Sequence, residues 1–151
     1  MIDLDKARGV VSEFQGLLDK TPAEMAQVRL RSDAWTLTEI VGHLVDSASN
    51  NHQRFARLRF GDLEGFPGYE AEPWVEAQKY NGCRFEELSV LWASYNGFLL
   101  HLVENAPQEA MGNCWVTGDG KVSLEFLMGD YYGHLMIHVD HYRDRLSEIL
   151  G

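Results

Sequence analysis

The stretch that decides the fold is Trp35-Thr-Leu-Thr-Glu39-Ile-Val-Gly-His43-Leu-Val-Asp46-Ser-Ala-Ser-Asn50-Asn-His-Gln-Arg54-Phe55. Thr36 followed three residues later by Glu39 is a capping box, in which each side chain satisfies a backbone N–H that the first helical turn leaves without a partner. Behind it Leu37, Ile40, Val41, Leu44, Ala48, Phe55 and Leu58 keep to one side of a 3.6-residue helix, ending near Gly61. Asp46, Asn50 and Arg54 follow one another at steps of four, a spacing that aligns polar side chains along one helix face. His43 borders the apolar stripe, one residue before Leu44.

Three further helices are predicted on either side. Leu4, Ala7, Val11, Phe14 and Leu18 give a first helix over about residues 3–20, stopped by Asp19-Lys-Thr-Pro22. Phe85, Leu88, Trp92, Tyr95, Leu99 and Leu102 give a third over about 83–105. After Pro107 and the turn signal Thr117-Gly-Asp-Gly120, a fourth opens at Ser123 and runs to about 149 through Leu124, Leu127, Met128, Tyr131, Leu135, His138, Tyr142 and Leu146. The predicted class is all-α, a single four-helix-bundle domain over residues 1–151. Residues 61–82 join the second and third helices. Tyr69 and Trp74 among their glycines and prolines predict an ordered, packed crossover, of the kind that lets neighbouring helices run parallel. No strand pattern stands out, although Cys114-Trp-Val116 is compatible with a short extended segment.

Composition excludes several functions. With 23 acidic against 13 basic residues and a formal charge of -10, the surface repels phosphate backbones, so nucleic acid is not an expected partner. No apolar run approaches the ~20 residues needed to span a bilayer, and the first residues lack a signal-peptide pattern; a cytoplasmic protein without a membrane partner is expected. Cys83 and Cys114 are far apart, as two reduced thiols would be.

Chemistry concentrates in the histidines. His134 and His138, within Asp130-Tyr-Tyr-Gly-His134-Leu-Met-Ile-His138-Val-Asp-His141, are four apart and share a helix face one turn apart. That spacing is compatible with two core histidines or with half a metal site; Leu135 after His134 rules out the His-Glu-x-x-His protease pattern. His43 on a facing helix would supply a third imidazole, because ligands from different helices meet in a bundle core. Three neutral imidazoles suit zinc, nickel or iron and leave a position open for water or substrate. His141, Asp46 and Asp130 are the candidate catalytic groups around such a site. Each carboxylate is placed either to orient a ring or to act as a base, and His141 to shuttle a proton or to stay exposed. His52 and His101 have no partner in a matching position.

The segment from Trp35 to Phe55, with its His-Leu-x-Asp-Ser-x-x-Asn-x-x-x-Arg-Phe pattern, resembles the helix-2 signature of the DinB-like superfamily. The closest likeness is to its YfiT-like, bacillithiol-S-transferase-like branch. Pro67-Gly-Tyr69 through Trp74 is similar to that branch's crossover loop, and His134, His138 and His141 match its helix-4 pattern. The resemblance implies an up-down-down-up four-helix bundle, with His43, His134 and His138 as ligands of a divalent transition metal, and it also implies homodimers. It further implies transfer of a low-molecular-weight thiol, such as bacillithiol, mycothiol or glutathione, to a small electrophile. Hydrolysis on the same site, and a non-catalytic metal-binding stress-response module, are the alternative functions. The residues flanking His134 are less polar here than in the histidine-rich versions.

Overall fold

Four long helices carry the chain, and side-chain caps set three of their starts. The computed structural model describes residues Met1–Gly151. Helix α1 spans Leu4–Lys20, with the Asp3 carboxylate accepting from the Lys6 backbone N–H. A four-residue turn, α2 (Ala23–Ala26), leads to α3 (Leu37–Arg57). There the predicted capping box forms: Glu39 N–H donates to Thr36 Oγ1 at 3.2 Å and Thr36 N–H to Glu39 Oε1 at 2.9 Å. The crossover contains β1 (Leu63–Glu64) and a short helix α4 (Ala71–Gln78), so it is ordered, as its aromatic content predicts. Helix α5 covers Phe85–Glu104. Strands β2 (Cys114–Thr117) and β3 (Gly120–Ser123) then lead into α6 (Leu124–Leu150), whose first turn is capped by Ser123 Oγ.

Side-chain pairs along the helices establish their directions. Phe55, late in α3, meets Tyr131, early in α6, while His43, early in α3, meets His138, further along α6; these two helices are antiparallel. Thr36 bonds Asn81 just before α5, and Arg59 just after α3 reaches the Leu102 carbonyl at the end of α5, so α3 and α5 are parallel. Arg8 pairs with Glu104 and Phe14 with Trp92, which makes α1 antiparallel to α5. Met1 pairs with Glu125 and Glu13 with Arg143, which makes α1 parallel to α6. The order is up-down-down-up, as expected from the sequence, and the long crossover is what returns the chain to start α5 alongside α3.

The core unites all four helices. Phe14 stands edge-on to Trp92 at 4.8 Å and to Tyr142 at 5.0 Å, an arrangement in which ring edges meet ring faces. Around them Leu37, Ile40, Leu99, Leu124, Met128 and Leu135 are shielded from solvent. No helix is long and apolar enough to cross a membrane.

One element corrects the expectation of helices alone. Cys114-Trp-Val116 is the start of a β-hairpin, with Trp115 opposite Val122, and β1 adds parallel to it with Leu63 opposite Trp115. Four-residue strands are too short for alternation to register in a sequence. Tertiary bonds hold the small sheet instead: the Asp62 carboxylate accepts from Cys114 N–H at 2.8 Å, and Trp115 Nε1 donates to the Phe66 carbonyl at 3.0 Å.

Candidate metal centre

His43 and His138 are brought face to face by the antiparallel packing of α3 on α6. Their Nε2 atoms lie 3.2 Å apart and their rings meet edge to face with centroids at 4.6 Å. Two tetrahedral ligands, each ~2.0–2.1 Å from one ion, stand about 3.3 Å apart, so the pair has the spacing of two ligands of a common metal. The same distance also suits a direct N–H···N hydrogen bond. Both Nδ1 atoms are buried without a partner, unlike the usual ligating imidazole, which donates its second N–H to an oxygen.

Burial keeps the pair neutral. His43 is 7% exposed, with Trp35 packed on its ring at 5.1 Å. Desolvation, then the nearby His138 and His141, lower its pKa to about 4. Burial likewise lowers His138, with smaller contributions from His141 and His134. A neutral imidazole carries the lone pair that a metal requires.

The third predicted ligand, His134, stands apart. Its side chain is 63% exposed and its Nε2 lies 3.3 Å from Asp130 Oδ2, one turn earlier in α6. As the side chains stand, no three His, Cys, Asp or Glu groups converge to hold an ion. His141 is half-buried, lies within the electrostatic reach of both His43 and His138, and has its Nε2 3.5 Å from Arg145 Nη2. An open pocket of about 300 Å³ is lined by Glu72, Arg145, His141 and Trp35, the last of which packs on His43.

The two candidate carboxylates separate into different roles. Asp130 stays at the surface with His134. Asp46, one turn beyond His43 and 2% exposed, is tethered by Oδ1, which accepts from Tyr80 Oη at 2.5 Å and from Gln78 Nε2 at 2.8 Å. Its Oδ2 is buried without a partner, and burial raises its pKa against the lowering effect of those two bonds. The polar row along α3 does not close into a side-chain chain: Asn50 Nδ2 donates to the Asp46 backbone carbonyl at 2.9 Å, and Arg54 turns to the Trp115 ring. Tyr80 and Gln78 reach Asp46 from the crossover, and sequence reasoning did not single them out. The one signal for them was Gly42, a glycine inside a strongly capped helix. His52, on the other hand, packs with Tyr95 and Phe98 on α5, away from the pair.

The bundle with parallel middle helices and a long crossover is the fold expected from the sequence, and solved structures share it. Among solved structures, the chain is similar to YfiT from Bacillus subtilis, described as a probable metal-dependent hydrolase with an unusual four-helix bundle topology. The TM-score is 0.82 at 19% identity, over 98% of this chain and 85% of that one. It is also similar to a mycothiol-dependent maleylpyruvate isomerase and to a single-histidine variant of that enzyme. Their TM-scores are both 0.75, at 15% and 14% identity, over 91% of this chain and 57% of theirs. At these identities the shared property is the fold. No protein-family model matches the sequence, and no curated protein does.

Proposed function

We propose that the protein is a metal-dependent transferase of low-molecular-weight thiols to small electrophiles, working as a homodimer. The observation that carries this reading is the neutral pair of buried His43 and half-buried His138, with Nε2 atoms 3.2 Å apart. The likeness in fold to a protein described as a probable metal-dependent hydrolase and to a mycothiol-dependent isomerase supports it.

His43 and His138 would hold a divalent transition metal, zinc or nickel before iron, and His134 would complete the set by a side-chain rotation that releases Asp130. A divalent ion there supplies charge that lowers the pKa of a neighbouring thiol, so that it reacts as thiolate. The thiol proton passes to His141 or to Asp46 Oδ2, a buried carboxylate oxygen with no partner of its own. Sulfur then forms a bond to the electrophilic carbon, and the displaced electron pair leaves with the departing group. Trp35, packed on His43, screens the pair from bulk water.

A thiol panel (cysteine, glutathione, bacillithiol, mycothiol) with a fluorogenic electrophile, run with and without chelator on protein never exposed to a nickel column, tests the reading. Chelator-sensitive conjugation that is lost in His138→Ala is the expected result. Protein that neither carries nor takes up a transition metal would overturn it. Chelator-sensitive ester hydrolysis without thiol conjugation would replace it with the hydrolase alternative, and metal uptake without either activity with the non-catalytic module.

A further inference from the structure

One buried positive charge has no counter-charge. Arg54 is 7% exposed, makes no ion pair or hydrogen bond to protein, and has its Nε fully buried without an acceptor. Its guanidinium lies over the Trp115 ring at 4.1 Å. Stacking satisfies the face of the guanidinium; at its edge Nε is buried without an acceptor, and neither terminal nitrogen bonds to protein. The other buried arginine shows the usual arrangement: Arg145, 6% exposed, donates to the Trp35 carbonyl and to Glu148.

The polar groups nearest along α3 are already committed elsewhere. Asn50 bonds backbone, and the Asp46 carboxylate is held by Tyr80 and Gln78. The Tyr69 phenol, brought in by the crossover, stands within electrostatic reach of both Asp46 and Arg54. Trp115 also forms part of an open groove with Gly65, Phe66, Gly68 and Val122, so the backing of the guanidinium is accessible from solvent. Eleven residues make three helical turns with about 20° left over, which puts Arg54 on the same face of α3 as His43, about 16 Å further along.

A planar, permanently charged fork with free edge donors, backed by an aromatic ring, matches a carboxylate or phosphate in two parallel hydrogen bonds. We propose that Arg54 is an anion subsite that takes a carboxylate of the substrate, with Trp115 as its backing and Tyr69 at its edge. The word substrate rests on the thiol-transferase reading; the binding of an anion does not. The distance along α3 selects an elongated molecule, with its sulfur at the histidine pair and its carboxylate on the order of ten bonds away.

The test titrates succinate, and separately inorganic phosphate, into metal-stripped protein at constant ionic strength, following melting temperature and tryptophan fluorescence. Wild type is expected to respond to succinate saturably, R54Q not to respond, and R54K to bind at least tenfold more weakly, since lysine keeps the charge and loses the fork. An equal response in R54Q, no saturable response in wild type, or a response to phosphate alone would overturn the carboxylate subsite. Should R54Q fail to fold, R54K decides, and unchanged affinity in it rejects the proposal. In the thiol assay, R54K is expected to raise KM for a carboxylate-bearing thiol about tenfold with little change in kcat. Succinate binding without any thiol conjugation would remove the functional reading and leave the subsite standing. Chelator-sensitive conjugation with an unaltered KM in R54K would do the reverse.

Discussion

His43 is the side chain whose burial bears most directly on behaviour between pH 4 and 7. In the fold its pKa falls from the ordinary 6.5 to about 4, through burial first and the neighbouring His138 and His141 next. The folded state therefore binds fewer protons than the unfolded chain between those two pH values, and stability must fall as pH drops through that window. His138 and His141 are shifted in the same direction and add to the loss. For metal-free protein the His43 contribution is on the order of 3 kcal/mol once pH reaches 4. Urea unfolding at a series of pH values from 7.5 to 4 should show wild type losing stability below about 6.5, with His43→Gln losing less by roughly that amount. Parallel curves for the two proteins would mean that His43 is not held neutral by the fold.

Helix α3 is the element where packing and site chemistry meet, and Gly42 is its most constrained position. A Cβ there would stand 2.2 Å from Cδ2 of the Tyr80 ring, so the bare backbone is what lets Tyr80 lie flush on the helix and reach Asp46. Glycine inside a helix costs about 1 kcal/mol relative to alanine, and by propensity alone Gly42→Ala should stabilise. The contact reverses the sign: the ring must move, taking its hydroxyl off Asp46, and a net loss of about 1–3 kcal/mol is expected. A melting temperature at or above wild type would show that the crossover yields without cost. Gly42 also marks where the sequence stopped being informative. The capping box, the apolar stripes and the i, i+4 histidines are local patterns; the four long helices and the placing of His43 opposite His138 followed from them, and the up-down-down-up order from the resemblance of the α3 segment. The bonds from Tyr80 and Gln78 to Asp46 span 34 and 32 residues, and no spacing rule connects positions that meet only after the crossover folds. The hairpin around Trp115 was hidden for the same reason, being held by Asp62 and Phe66 rather than by a pattern of its own. His134 is the opposite case: its spacing from His138 is regular, but helical phase does not determine which way a surface imidazole turns, and here it faces Asp130.

For the whole molecule, the histidine pair joins elements that are distant in sequence. His43 and His138 are 95 residues apart and belong to antiparallel helices, so an ion held by both would close a long loop and would bind the folded chain far better than the unfolded one. A ligand of that kind stabilises by mass action, about 2.7 kcal/mol at a free concentration one hundred times its Kd. For a chain of this length such a gain raises Tm by roughly 5–10 °C. Zinc or nickel added to metal-stripped protein at pH 7.5 should produce that rise, and His138→Ala should abolish it along with metal uptake. The third position is then read by two further variants. If His134 swings in from Asp130, His134→Ala should weaken the metal-dependent rise and His141→Ala should preserve it. The reverse result would assign the third place to His141, which already lies within electrostatic reach of both members of the pair. A Tm indifferent to metal in wild type would leave His43 and His138 as a hydrogen-bonded core pair, because an ion that does not favour the folded state is not held between these helices.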